Sequence, residues 1–200
     1  MNRSGAIAMG LRRVPVWMVY CLGMVPAFWG LWLGLTGGLG AEPVRALEQH
    51  LGETALQFLI AVLAITPLRR AGVNLVRFRR ALGVLSFVYV CLHLGVWLLD
   101  LRSWPLIWAD LVKRPYITVG MAAGLLLVPL ALTSNDRAVR RLGPARWRRL
   151  HRLTYPAVSL GGVHYLMLVK GWPAAPILYM AVIITLLSFR IRLLRVRFPA

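Results

Sequence analysis

Along the chain, long apolar runs alternate with short polar segments in which arginines cluster. Six runs are long enough to cross about 30 Å of hydrocarbon at about 1.5 Å per helical residue. They cover roughly 14–36, 52–68, 81–99, 115–134, 150–170 and 173–189. The pattern predicts an all-α integral membrane protein, a bundle of six transmembrane helices in a single domain spanning 1–200. The second and sixth runs are short, so flanking Arg69, Arg70, Arg190 and Arg192 are expected to snorkel or the bilayer to thin locally. Small residues (TGGLGAE) follow the first run as they would a signal peptide. Its length of about 23 apolar residues, with Trp17, Trp29 and Trp32, favours a retained span.

Composition supports the bilayer as solvent. A hydrophobic share of 59%, mean hydropathy of +0.68 and only 15% charged residues depart from soluble domains, which carry about 25% charge. Cys21 and Cys91 lie inside apolar runs without CxxC or metal-type spacing, and are read as small buried residues rather than disulfide or zinc positions. CxxCH, the usual covalent haem attachment, is absent, as are GxGxxG after a strand and a P-loop. Nucleotide chemistry is therefore not expected of this chain.

The net charge of +18 raises the question of nucleic acid, but 22 of the 24 basic residues are arginines sitting between apolar runs. Their sidedness answers it. With the N-terminus inside, the inner segments hold 19 basic residues against one acid, Asp136, and the outer segments hold five against five. The positive-inside bias then predicts an N-in, C-in topology, with the membrane as partner and no nucleic acid. The longest connections, about 100–114 outside and 135–149 inside, are read as loops too short to fold alone.

Four histidines carry the candidate chemistry. His93 lies seven residues before Asp100 and His164 six before Lys170, so both imidazoles are expected about 10 Å inside the outer boundary. A lone intramembrane histidine has a structural explanation, an interhelical hydrogen bond worth about 0.6–2 kcal/mol. Two at one depth, on spans running in the same direction, favour function, because placing each ionisable group in the membrane is costly. With no carboxylate or thiolate at that level, paired imidazoles suit haem iron, copper or zinc, and a pair across two helices suits axial haem ligation. Gly161 and Gly162 either clear space for a macrocycle beside His164 or allow close helix packing. His151 sits at the inner edge, some 220° around a straight helix from His164, unless Pro156 kinks that helix. It is either a solvated residue or an inner ligand. His50, without a partner at its level, is read as a surface residue.

The segments TPLRR (66–70), RRALGVLSFVYVCLHL (79–94), KRPYITVG (113–120), RRLG (140–143), RLHRLTY (149–155) and HYLMLVK (164–170) resemble the MsrQ family, also called YedZ, in unbroken order from about residue 42 to 170. The resemblance implies a ferric-reductase-like transmembrane domain, related to the core of NADPH oxidases, in which histidines of the third and fifth helices hold haem b. By position, His93 and His164 match the outer haem pair and His151 the inner ligand of the fifth helix. Where NADPH oxidases have a second inner histidine, this chain has Arg79 and Arg80, so a second complete pair is not matched. The family implies a bacterial inner-membrane subunit that takes electrons from the quinone pool or a flavin reductase. It passes them to MsrP, a periplasmic molybdopterin subunit that reduces protein-bound methionine sulfoxide.

Some members are described as binding FMN. The basic segment 137–149 is explained by topology, with an FMN phosphate as the alternative. Trp104 and Trp108, one turn apart in DLRSWPLIWADLVK, are expected to anchor in headgroups or to help dock the catalytic subunit. Two rival functions stay open: a ferric or oxygen reductase-type transmembrane cytochrome b, and a small transporter or assembly factor without haem.

Overall fold

The computed structural model describes residues 14–101, 103–168, 171 and 173–197, with side chains described as far as residue 190. Arg3, Arg12, Arg13, Arg102 and Lys170, and the side chains of Arg192, Arg195 and Arg197, all part of the charge count, lie outside the described residues.

Each of the six apolar runs is helical. The helices are α1 (Val16–Leu35), α2 (Pro43–Arg70), α3 (Arg79–Leu101), α4 (Trp104–Lys113), α5 (Pro115–Leu132), α6 (Asp136–Leu150), α7 (Thr154–Leu168) and α8 (Ala174–Arg197). Short 3-10 turns, Val76–Phe78 and His151–Leu153, precede α3 and α7, and no strand occurs among the described residues. Among the described residues four helices are long and apolar enough to cross a membrane: α1, α2, α3 with its preceding turn, and α5. The Ala174–Arg190 part of α8 is a shorter apolar helix. Large apolar side chains such as Phe28, Trp29, Leu99 and Leu125 are exposed on the outside of the bundle, as expected where the surrounding solvent is lipid.

Several boundaries differ from the sequence reading. Helix α2 starts at Pro43, nine residues before the apolar run. Its first turns contain Ala, Leu, Glu and Gln, all good helix formers, and proline at the first helical position is pre-organised. The two connections read as loops are also helices. In α6, Asn135 caps the start by accepting from the Ala138 N–H at 2.8 Å. Arg148 and Arg149 occupy the last turn, so the helix signals are complete although no apolar stripe announces them. Gly143 breaks α6 with a φ of 74° immediately before Pro144, a conformation open to glycine and costly for other residues. Pro156 does not kink α7. Pro156 lies in the first turn of α7, where its missing N–H has no helical partner to lose, and a 3-10 turn, His151–Leu153, precedes the helix. Cys21 and Cys91 are free thiols exposed on the outside of the bundle, not buried.

The core is shared by α2, α5, α7 and α8, through Leu56, Leu59, Leu63, Leu127, Leu130, Ala157, Val158 and Ile183. Polar side chains then set the register. On α3, Arg79, Ser86 and His93 recur every seven residues, which on a 3.6-residue helix keeps them close to one face. All three bond α2: Arg79 Nη2 to Thr66 Oγ1 at 2.9 Å, Ser86 Oγ to the Ala55 carbonyl at 2.9 Å, and His93 Nδ1 to the Glu48 carbonyl at 2.8 Å. Beside this row, the fully buried Tyr89 inserts its hydroxyl into α1, donating to the Gly23 carbonyl at 2.7 Å and accepting from the Ala27 N–H at 2.9 Å. Those two groups would otherwise bond each other, and Pro26 between them already interrupts the ladder. The result is a fixed height of α3 against both α1 and α2, which places His93.

Candidate functional site

His93 on α3 and His164 on α7 face each other, with ring centroids 6.2 Å apart and ring planes at 77°. Each ring is held from behind in the same way. His93 Nδ1 lies 2.8 Å from the Glu48 carbonyl oxygen and His164 Nδ1 lies 2.7 Å from that of Tyr116. A carbonyl oxygen only accepts, so Nδ1 carries the proton in both rings and Nε2 keeps its lone pair. Neither Nε2 makes a hydrogen bond among the described residues.

Two glycines make the approach possible. Gly52 stands four residues after Glu48, and Gly120 four after Tyr116. A Cβ at Gly52 would lie 3.0 Å from His93 Nδ1, and one at Gly120 would lie 2.7 Å from His164 Nδ1. The sequence reading missed both. The signal was present in the repeated spacing, Glu48 to Gly52 on one helix and Tyr116 to Gly120 within KRPYITVG on another. Gly161 and Gly162, which drew attention instead, serve packing. Gly162 admits Ile183 and Met180 of α8, and Gly161 meets Leu56 in ordinary contact.

The pair fits the central requirement of axial haem ligation. Imidazole–metal bonds of about 2.0–2.1 Å, plus about 1.1 Å from each nitrogen to its ring centre, give about 6.3 Å between the centres of two opposed ligands. Among the described residues no third His, Cys, Asp or Glu joins them to form a metal-binding group. Two donors fall short of a structural zinc site, which needs four, and suffice where a macrocycle fills the remaining positions.

His151 is elsewhere. It lies 13 residues from His164, about 20 Å along a helix, and its ring stacks on Trp147 with centroids 3.8 Å apart. Its Nδ1 donates to the Trp147 carbonyl at 3.2 Å, while Nε2 is buried and makes no well-aligned hydrogen bond, with the Leu130 backbone close to the ring. The nearby Arg80 is engaged with Asp136 at 2.7 Å. His50 corrects the reading of a surface residue. It is half-buried, donates from Nε2 to the Pro26 carbonyl at 3.0 Å, and packs against Gly30, thereby tying α2 to α1. Trp104 and Trp108 on α4 are 82% and 70% exposed, and no residue of α4 is buried.

Residues 51–162 match the family described as ferric reductase like transmembrane component. That stretch contains His93 and His151 and stops two residues short of His164. Over 193 residues, 92% of this chain and 86% of the relative, the sequence is 47% identical to the protein-methionine-sulfoxide reductase heme-binding subunit MsrQ of Brucella ovis. The proteins of the same name from Brucella canis and Brucella suis match equally. The chain belongs to the MsrQ family. Membership bears out the resemblance seen in the segments from TPLRR to HYLMLVK, and it agrees with the all-helical, multi-pass architecture. Within that framework the fold brings His93 and His164 together from two different helices, each with its Nδ1 held by a backbone carbonyl.

Proposed function

We propose that the chain is the haem-binding, electron-carrying subunit of a membrane methionine-sulfoxide reductase system, and that it performs no bond-making chemistry itself. His93 and His164 would hold one haem b through Nε2. When bound, haem supplies reversible one-electron chemistry. The protein's part follows from the geometry. The Glu48 and Tyr116 carbonyls fix each ring's tautomer and orientation and raise its basicity. Gly52 and Gly120 let the rings seat, and the surrounding apolar helices keep the site at low dielectric. The observation that carries this reading is the 6.2 Å pair of imidazoles, each anchored through Nδ1.

In this reading six helices cross the bacterial inner membrane with both termini inside, and the histidine pair lies near the periplasmic side. Electrons arrive from the quinone pool or a flavin reductase and leave to a periplasmic molybdopterin subunit of the MsrP kind. His151, whose Nε2 makes no well-aligned hydrogen bond, is kept as a second, inner ligand, although Arg79 and Arg80 stand where its partner would be. FMN is carried from the family as a second cofactor.

The test is haem and flavin quantitation on the purified protein with His93, His151 and His164 replaced in turn. Reduced-minus-oxidised spectra should show sharp alpha and Soret bands that vanish in His93→Ala and His164→Ala. A colourless protein would overturn the reading in favour of a transporter or assembly factor. The family description also favours a second reading, a ferric or oxygen reductase that keeps the haem. Failure to reduce a co-purified periplasmic methionine-sulfoxide reductase, together with direct reduction of ferric ion or oxygen, would select it.

A further inference from the structure

At the opposite end of the bundle from the facing histidines, two guanidinium groups meet on one oxygen atom. Arg79 Nη2 and Arg190 Nη2 donate to Thr66 Oγ1 at 2.9 and 2.8 Å. Arg190 also donates to the Tyr155 hydroxyl at 2.7 Å and the Leu63 carbonyl at 3.1 Å. Thr66 and Tyr155 act as acceptors here, so each keeps its own O–H to donate, and neither finds an acceptor among the described residues. The Nε–H groups of Arg79 and Arg190 are buried and unpartnered. The cluster is thus rich in unused donors. Among the described residues no carboxylate pairs with either arginine, and the one acidic side chain predicted at this end, Asp136, is taken by Arg80. Arg69 adds a further positive charge within electrostatic range.

Two half-buried like charges that share an acceptor and lack a counter-ion are unfavourable without an anion. Position narrows its chemistry. Thr66 lies one turn from the end of α2, Arg79 opens α3, and Arg190 ends the apolar part of α8, so the cluster sits where three apolar segments end and the headgroup layer begins. The N-terminus of α3 adds its own positive dipole. Forked guanidiniums are suited to bidentate recognition of phosphate oxygens.

We propose that Arg79, Arg190, Thr66 and Tyr155 form a binding site for a phosphate group, supplied either by an anionic phospholipid or by a soluble phosphate. The site is separate from the histidine pair.

The experiment uses the full chain in nanodiscs of phosphatidylcholine alone or with added phosphatidylglycerol, read by native mass spectrometry and thermal unfolding, with inorganic phosphate titrated into the first. Wild-type protein should retain a phosphatidylglycerol molecule, or gain thermal stability with phosphate. The Arg79→Gln, Arg190→Gln double variant should weaken that binding by about tenfold to a hundredfold. A response to phosphatidylglycerol alone assigns a lipid, and a response to inorganic phosphate assigns a soluble source. The double variant Arg45→Gln, Arg114→Gln removes the same charge from exposed positions at the other end of the bundle and should bind as wild type. Should the first double variant fail to fold, Arg190→Lys preserves the charge, loses the fork and should still weaken binding. Equal binding by wild type and the Arg79 and Arg190 variants, an equal loss in the Arg45, Arg114 control, or no response to either probe would overturn the site.

Discussion

Replacing Gly120 with alanine separates the role of the histidine anchor from that of helix stability. A Cβ there would lie 2.7 Å from His164 Nδ1, 2.8 Å from Cε1 and 3.1 Å from Cγ, so ordinary contact requires the ring to retreat by about 0.7 Å. The retreat would lengthen the 2.7 Å bond to the Tyr116 carbonyl to about 3.4 Å, outside the range of about 2.7–3.2 Å for such bonds. Losing it costs about 0.5–1.5 kcal/mol, while alanine in place of glycine inside a helix returns about 0.5–1 kcal/mol. The two nearly cancel, so the unfolding midpoint should barely move. Ligation should not be spared, because losing the partner that orients a ligating histidine typically lowers metal affinity by about 10–100-fold. Haem titration into the apoprotein, alongside thermal unfolding, reads both quantities. Gly52→Ala should act in the same direction but less, since its Cβ would stand 3.0 Å from His93 Nδ1. Gly95→Ala, which meets nothing within 4 Å, should leave haem binding unchanged. Wild-type haem affinity in a well-folded Gly120→Ala protein would refute the anchoring argument.

Three further outcomes are expected. Tyr89→Phe removes the hydroxyl that bridges Gly23 and Ala27 of α1 and should lower stability in detergent by about 1–3 kcal/mol; an unchanged unfolding midpoint would show that the α1 backbone closes its own bond instead. If α4 docks the proposed catalytic partner, replacing Trp104 and Trp108 together should weaken that association and leave haem content intact, and unchanged association would leave α4 as a membrane anchor only. Asp136 is held below the ordinary carboxylate range by its hydrogen bond from Arg80. Its stabilising contribution is therefore present above the unfolded-state value of about 3.9 and lost as pH falls through the lowered folded value. The pair is exposed and screened, so Asp136→Asn should produce a small, salt-sensitive drop in unfolding midpoint at pH 7 that disappears at low pH. A difference that persists there would point to a lost cap or packing contact.

The readable parts of the molecule were those governed by transfer into lipid. Each of the six apolar runs became a helix, because an unpaired backbone in hydrocarbon is costly and a helix satisfies it within the segment. The helices of the polar connections were less legible. Helix α6 has no apolar stripe, and its cap at Asn135 and its break at Gly143 are single-residue signals that a hydropathy reading averages away. The start of α2 at Pro43 was hidden for the same reason, and with it the Glu48 carbonyl that anchors His93.

By itself, then, the sequence determined the helical membrane architecture, the clustering of charge and the pairing of His93 with His164 by depth. All three depend on local composition and on distance along a helix, which a sequence states directly. Only the tertiary structure decided which backbone carbonyl holds each imidazole, why Gly52 and Gly120 carry no side chain, that His50 braces α1, and that Arg79 and Arg190 converge on Thr66. Those facts depend on the rotation and relative height of neighbouring helices. Here the heptad of Arg79, Ser86 and His93 and the inserted hydroxyl of Tyr89 set that register, through bonds to partners as many as 66 residues away.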